Sequence, residues 1–239
     1  MKINDILAVA VLVGGTACAV SAGEITGKVT LKGTPPAEPN LAQKTALLQN
    51  DPNCGKLSQA PKNRVYVVGQ NGELAQVVLK LVEGVSGNPA PSAEPLLLDQ
   101  KGCEYLPYIS AVQTGQKILV RNSDDALHNV HPTPKVAGNK ESNKAQMAKS
   151  KDLEYTFDNA EEFLPYKCDV HPWMLAYVTV VPHPYFAVSG ADGTYTIKNV
   201  PDGKYKIEAT HRRAGKSVKD VEVKGTASVN FELEVPAAK

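Results

Sequence analysis

Within the stretch KCDVHPWMLAYVTVV, Lys167 to Val181, a cysteine, a histidine and a methionine follow at Cys-x-x-His-x-x-Met spacing: Cys168, His171 and Met174. The whole chain holds four cysteines, five histidines and three methionines, so one of each in seven residues is a concentration of soft donors. Two imidazoles and a thiolate in a trigonal set, with a weak thioether, form the donor set of electron-transfer copper. The stretch supplies all of this but one imidazole. The remaining candidates are His128, His131, His183 and His211.

The elements that must position these donors narrow the choice. Cys168 ends one strand signal and Leu175 begins another, so the three donors lie on the loop of a hairpin at one end of a sheet. The missing imidazole is then expected from the end of a neighbouring strand. The strong strand signal Lys117–Arg121 is followed across a turn by NSDDALHNVH, which fits. His128 and His131 stand three apart, and an extended chain points them to opposite sides, so only one reaches the site. The bland readings are a hydrogen-bonded, partly exposed His131, a domain-junction His183 and a surface His211.

Cysteine pairing is consistent with a metal site. Residues 1–22 read as a signal peptide, with Lys2, an apolar run from Ile6 to Val20 and a small-residue cleavage site at Val20-Ser21-Ala22. The run is too short for a comfortable membrane anchor. A lipid anchor at Cys18 is the rival reading. A periplasmic or otherwise secreted chain favours a disulfide, and Cys54 (NDPNCGK) and Cys103 (DQKGCEY) lie in turn-rich segments that can approach each other. Cys168 is left over, and metal ligation would explain a thiol that stays unpaired in an oxidising compartment.

The rest of the chain reads as strands. The 239 residues carry a formal net charge of +1 and are 42% hydrophobic, enough for one large β-domain or two small ones. No basic face suggests nucleic acid. EITGKVTL (24–31) alternates as a strand, and LAQKTALLQ (41–49) is the one short helix candidate. Val65–Val68 and Gln76–Val82 flank an Asn71-Gly72 turn. Residues 132–155 are polar and Lys-rich, read as a solvated loop, with a docking patch for an acidic redox partner as the sharper alternative. From residue 185 on, strands and Gly turns alternate (Tyr195 and Ile197; Tyr205, Ile207 and Ala209; Val229, Phe231 and Leu233), a small antiparallel module that docks on the preceding domain or recruits the 24–31 strand. The expected class is all-β: a β-sandwich (64–184), an N-terminal extension (23–63) and a smaller β-module (185–239).

HN (His128-Asn129) followed by CDVHPWM resembles the cupredoxins, the blue copper proteins, and the spacing is similar to the short ligand loop of amicyanin rather than the longer one of plastocyanin. The resemblance spans residues 74–182. It implies a Greek-key sandwich with copper held by His128, Cys168, His171 and axial Met174, and Asn129 steadying the ligand loops. Leu127 departs from the proline that precedes the first ligand in those relatives. An exposed edge of His171 would be the electron route, with Trp173 and Pro172 shaping an apolar rim around it. GADGTYTIKNVPDGKYKIEATH resembles the carboxypeptidase regulatory-like, transthyretin-like domain. The pairing is similar to bacterial methylamine-utilisation-like proteins.

The functional expectation is a secreted one-electron carrier, not an enzyme, serving a cytochrome or dehydrogenase. The alternatives are a copper-delivery protein or a non-metal extracytoplasmic binding module. A multicopper oxidase or nitrite reductase would need clustered His-x-His ligands, and no His-x-His occurs.

Overall fold

The computed structural model describes residues 22–38, 46–57, 61, 64–87 and 89–237. The expected signal peptide lies outside them except for Ala22, and so does Cys18. Among the described residues, no helix is long and apolar enough to cross a membrane.

The chain is all-β, built as two sandwiches with separate cores. In the first, β3 (Leu96–Gln100), β4 (Tyr105–Leu106), β6 (Ile118–Asn122) and β9 (Leu153–Tyr155) form one sheet in the order β4-β3-β6-β9. The facing sheet runs β5-β11-β10-β7-β8, from β5 (Ile109–Gln113), β7 (His128–Pro132), β8 (Lys144–Gln146), β10 (Glu161–Lys167) and β11 (Leu175–Val181). Strand β5 lies parallel to β11, whereas β10 is antiparallel to both β11 and β7. Period-two alternation turns Leu98, Ile118, Val120, Leu164, Tyr166, Ala176 and Val178 into the space between the sheets, where all are buried.

The second sandwich has β1 (Ala22–Lys32) at the centre of one sheet. It pairs antiparallel with β13 (Thr194–Pro201) and parallel with β16 (Thr226–Ser228) and β17 (Phe231–Glu234). The other sheet is β12-β2-β14-β15, from β2 (Val78–Glu83), β12 (Phe186–Val188), β14 (Gly203–His211) and β15 (Gly215–Val223). Ile25, Val29, Leu79, Leu81, Ile197, Ile207 and Phe231 fill its core. The N-terminal strand thus completes the C-terminal module. At Gly27 the Val229 backbone crosses so closely that a Cβ would sit 1.8 Å from its carbonyl oxygen, so no larger residue fits there.

Two expected boundaries move. The start of the first sandwich, expected at residue 64, is corrected: β2 pairs with β12 and β14 of the second module, and Val77, Leu79 and Leu81 enter that core. Alternation tells which side chains are buried, not which sheet buries them. The extension 23–63 is likewise divided, because α1 (Ala46–Asn50) and the short 3-10 turn Cys54–Lys56 belong to the first sandwich: Leu48 and Cys54 join its core. The helix expected over 41–49 is described from Ala46 on. The polar stretch 132–155 is not loop throughout, since it contributes β8 and β9. Between the modules, the Arg212 guanidinium lies over the Tyr177 ring, 3.3 Å from its centroid, and donates to the Tyr108 hydroxyl.

Candidate metal centre

The structure brings His128, Cys168 and His171 together at one end of the first sandwich, their donor atoms all within 4.8 Å of one another. His128 opens β7, the strand hydrogen-bonded to β10, and Cys168 follows the last residue of β10. His171 lies in the tight loop before β11: Met174 N–H donates to the His171 carbonyl (2.8 Å), and Cys168 N–H donates to the Met174 carbonyl (3.3 Å). These bonds close the Cys-x-x-His-x-x-Met segment on itself. Met174 is buried in the same core.

The loop that delivers His128 is built by its own sequence. Asn122 at the end of β6 donates from Nδ2 to the Ala126 carbonyl, and its Oδ1 accepts from Asp124 N–H. Tyr105 Oη donates to the Asn129 carbonyl (2.9 Å) and lies 3.2 Å from the Lys167 carbonyl, so it ties both ligand strands; burial pushes its phenol well above the ordinary range. Asn129 bridges the two ligand segments. Its N–H points at Cys168 Sγ (3.4 Å), its side-chain oxygen accepts from Asp169 N–H, and its amide donates to Asn143.

The protons at this site can be assigned. His128 Nε2 meets Asp124 Oδ2 at 2.9 Å, and His171 Nε2 meets Asp51 Oδ2 at 3.2 Å. Burial works against the charge of both carboxylates, and it is outweighed at Asp51 by the N–H groups of Cys54 and Asn53, and at Asp124 by His128 and the N–H groups of Cys103 and Gly102. Both are held below the ordinary range, so they accept and each Nε2 carries a hydrogen. The two Nδ1 atoms are left facing each other 2.8 Å apart, with Cys168 Sγ 3.6 Å from that of His171. Two neutral imidazoles so arranged point lone pairs at one another, which is repulsive unless a proton or a cation lies between them.

Burial lowers the pKa of His128, but hydrogen bonds to Asp124 and Cys168 outweigh it and raise the group to about 8. Burial likewise opposes the Cys168 thiolate, yet His128, His171 and the Asn129 N–H bring the thiol down to about 6. An imidazolium beside a thiolate, both buried, is the protonated counterpart of a site for a thiophilic cation. The donor set therefore fits copper: one thiolate and two inward Nδ1 atoms with hydrogen-bonded outer nitrogens, with Met174 buried in the adjoining core.

Several expectations about the surroundings are corrected. His171 is only 2% exposed, so it has no free ring edge. The segment 48–57 lies across it, with Asp51 on Nε2 and Cys54 Sγ 3.7 Å away. Trp173, expected on a solvent-facing rim, is 9% exposed, because its indole N–H donates to the Cys103 carbonyl and its ring lies tilted against that of His171, 5.1 Å between centroids. Pro172 does reach the surface. His211, expected at the surface, is 3% exposed in the second core. His131 stays apart from the site, held between Asp169 and Glu141, each at 2.7 Å. His183 lines a cleft at the junction of the two modules.

Cys54 and Cys103 form a disulfide across a sequence separation of 49. Its place against the metal centre was not foreseen from sequence, nor were the roles of Asp51 and Asp124. The signals were present: Asp51 stands three residues before Cys54 and Asp124 four before His128. Nothing in one dimension shows that both spacings end on the same two imidazoles.

No protein-family model matches the chain, and no curated protein matches it. Among solved structures it is similar to a copper(I) form of an amicyanin variant at 23% identity, covering 36% of this chain and 81% of that one, with a TM-score of 0.32. It is also similar to a Cu-containing nitrite reductase (NirK) from Thermus scotoductus SA-01 at 20% identity and TM-score 0.33, covering 41% of this chain but only 24% of that one. A purple cupredoxin from Nitrosopumilus maritimus, 21% identical, is covered over 98% of its length and aligns with 36% of this chain at a TM-score of 0.30.

Proposed function

We propose that this chain is a cupredoxin-type one-electron carrier of the periplasm or another secreted compartment, in which His128, Cys168, His171 and Met174 would hold a single copper. The observation that carries this reading is the pair of inward Nδ1 atoms, 2.8 Å apart and backed on their far side by two carboxylates. When bound, copper supplies a one-electron couple between Cu(II) and Cu(I). The protein's part is to keep the donors where they are in both states. Asp51 and Asp124 orient the imidazoles, the Asn129 N–H is directed at the Cys168 sulfur, and the surrounding core keeps water out. The donor set requires no open coordination position, so the reading is a carrier rather than an enzyme. A cytochrome or dehydrogenase partner would approach the loop at exposed Val170 and Pro172, because His171 itself is covered.

The test is a visible and EPR spectrum of the copper-loaded protein. Intense thiolate-to-copper charge transfer is expected, and Cys168→Ser removes it. A colourless copper complex of the unaltered chain would overturn the reading.

The covered edge of His171 favours one second reading, a protein that stores or delivers copper without electron exchange. Reversible voltammetry with fast self-exchange supports the carrier. Slow electron exchange together with copper transfer to a competing chelator supports delivery.

A further inference from the structure

The disulfide beside the metal centre is arranged with a near-symmetry that a structural crosslink does not require. Asp51 accepts from the N–H groups of Asn53 and Cys54 through Oδ1 and meets His171 Nε2 through Oδ2. Asp124 accepts from Gly102 and Cys103 N–H and meets His128 Nε2. Each half of the disulfide is thus presented by a carboxylate that also holds one imidazole. The groups Asp51, Cys54 and His171, and Cys103, Asp124 and His128, each bring their donor atoms within 4.8 Å of one another. Both cysteines are buried, so they share a compartment closed to bulk water.

We propose that opening the Cys54–Cys103 bond creates a second site for a thiophilic d10 cation, Cu(I) or Zn(II), next to the first. A dithiol reductant gives two electrons and two protons to the disulfide: its own two sulfurs join, the Cys54–Cys103 bond breaks, and two thiols form. As the cation binds, each thiol proton leaves to solvent and the two thiolates become ligands. Thiolate pairs select these ions over hard cations, and for Zn(II) the Asp51 and Asp124 carboxylates, one beside each cysteine, offer oxygen donors in addition. Under oxidising conditions the sulfurs are locked and the site is closed. Under reducing conditions this end of the sandwich gains capacity for an additional ion. The site does not depend on Cys168, so it stands apart from the reading of the centre as an electron carrier.

The experiment compares metal uptake by the full chain before and after treatment with excess dithiol or phosphine and removal of the reductant without air. Thiol titration reports opening as a rise of two thiols per chain. Cu(I) and Zn(II) are then titrated separately against a competing chromophoric chelator. The reduced protein is expected to bind one equivalent more than the oxidised protein, and to release it when the disulfide is re-formed with a mild oxidant. Cys168→Ser is expected to keep this redox-dependent equivalent while losing the copper colour. Equal uptake in both redox states overturns the proposal, as does a disulfide that stays closed in the folded protein. If the oxidised chain binds no copper while the reduced chain binds one equivalent, the carrier reading fails and this site stands.

Discussion

The two sandwiches each bury two histidines, and they treat them in opposite ways. In the second module the histidine ring nitrogens, among the described residues, hydrogen-bond to the protein backbone: His183 Nε2 donates to the Leu81 carbonyl and its Nδ1 accepts from Tyr185 N–H, while His211 Nδ1 accepts from the N–H groups of Arg213 and Ala214. Both rings are held neutral by burial, His211 down to about 4. In the first module His128 and His171 are as deeply buried, yet their outer nitrogens face carboxylates and their inner nitrogens face each other and a thiol. Burial of a histidine therefore says nothing about ligation. What separates the two pairs is whether the second ring nitrogen has found a protein donor, or is left aimed at a space that only a proton or a cation can occupy.

The largest expected effect comes from breaking the convergent pair. His128→Gln should abolish the charge-transfer band and copper retention through gel filtration. It should cost the metal-free chain no more than about 1 kcal/mol, because the Gln amide can still donate to Asp124. Equal copper retention by the variant would remove His128 from the ligand set.

Next in size is a pH effect confined to the second module. The folded-state pKa of His211 lies near 4, against 6.5 for the free group, so between these values the unfolded chain takes a proton that the folded chain refuses. The His211 contribution to stability is full above 6.5 and should fall as pH drops toward 4, by up to ~3 kcal/mol at about 1.4 kcal/mol per pH unit. Denaturant midpoints across that window check this, and His211→Gln should reduce the slope, leaving the smaller share of His183, which burial also holds neutral.

His183→Leu should lower stability by on the order of 2 kcal/mol, since it leaves the Leu81 carbonyl and the Tyr185 N–H without their partner. Copper binding should not change. A shifted copper spectrum would mean that the two histidine pairs are coupled across the module junction. The smallest effect is expected from Asp124→Asn, which keeps the shape but removes the charge behind His128. It should weaken copper binding by about 10-fold with a measurable change in potential, whereas a merely structural carboxylate would move stability and leave the potential alone.

Much of the first module could be read in the chain because its signals are local. The strand runs KILVR and LAYVTVV marked β6 and β11, and Cys168, His171 and Met174 are held by bonds within their own loop. His128 was reachable because it follows a strong strand across a short turn. The errors cluster where position depends on a neighbour from far along the chain. Residues 78–83 look the same in either sandwich, and only the pairing with β14 decides between them. The resemblance implied an open edge on His171; its cover arrives from residues 48–57, far away in sequence.

Residue types and their spacing by themselves determined the donor chemistry, the all-β class and the odd cysteine, because those follow from side-chain identity and short-range periodicity. Only the tertiary structure decided that Asp51, Asp124 and a disulfide stand behind the two imidazoles, and that the first strand completes the last module. Those contacts join residues separated by up to some two hundred positions, and their energy comes from burial and from hydrogen bonds whose partners no local pattern specifies.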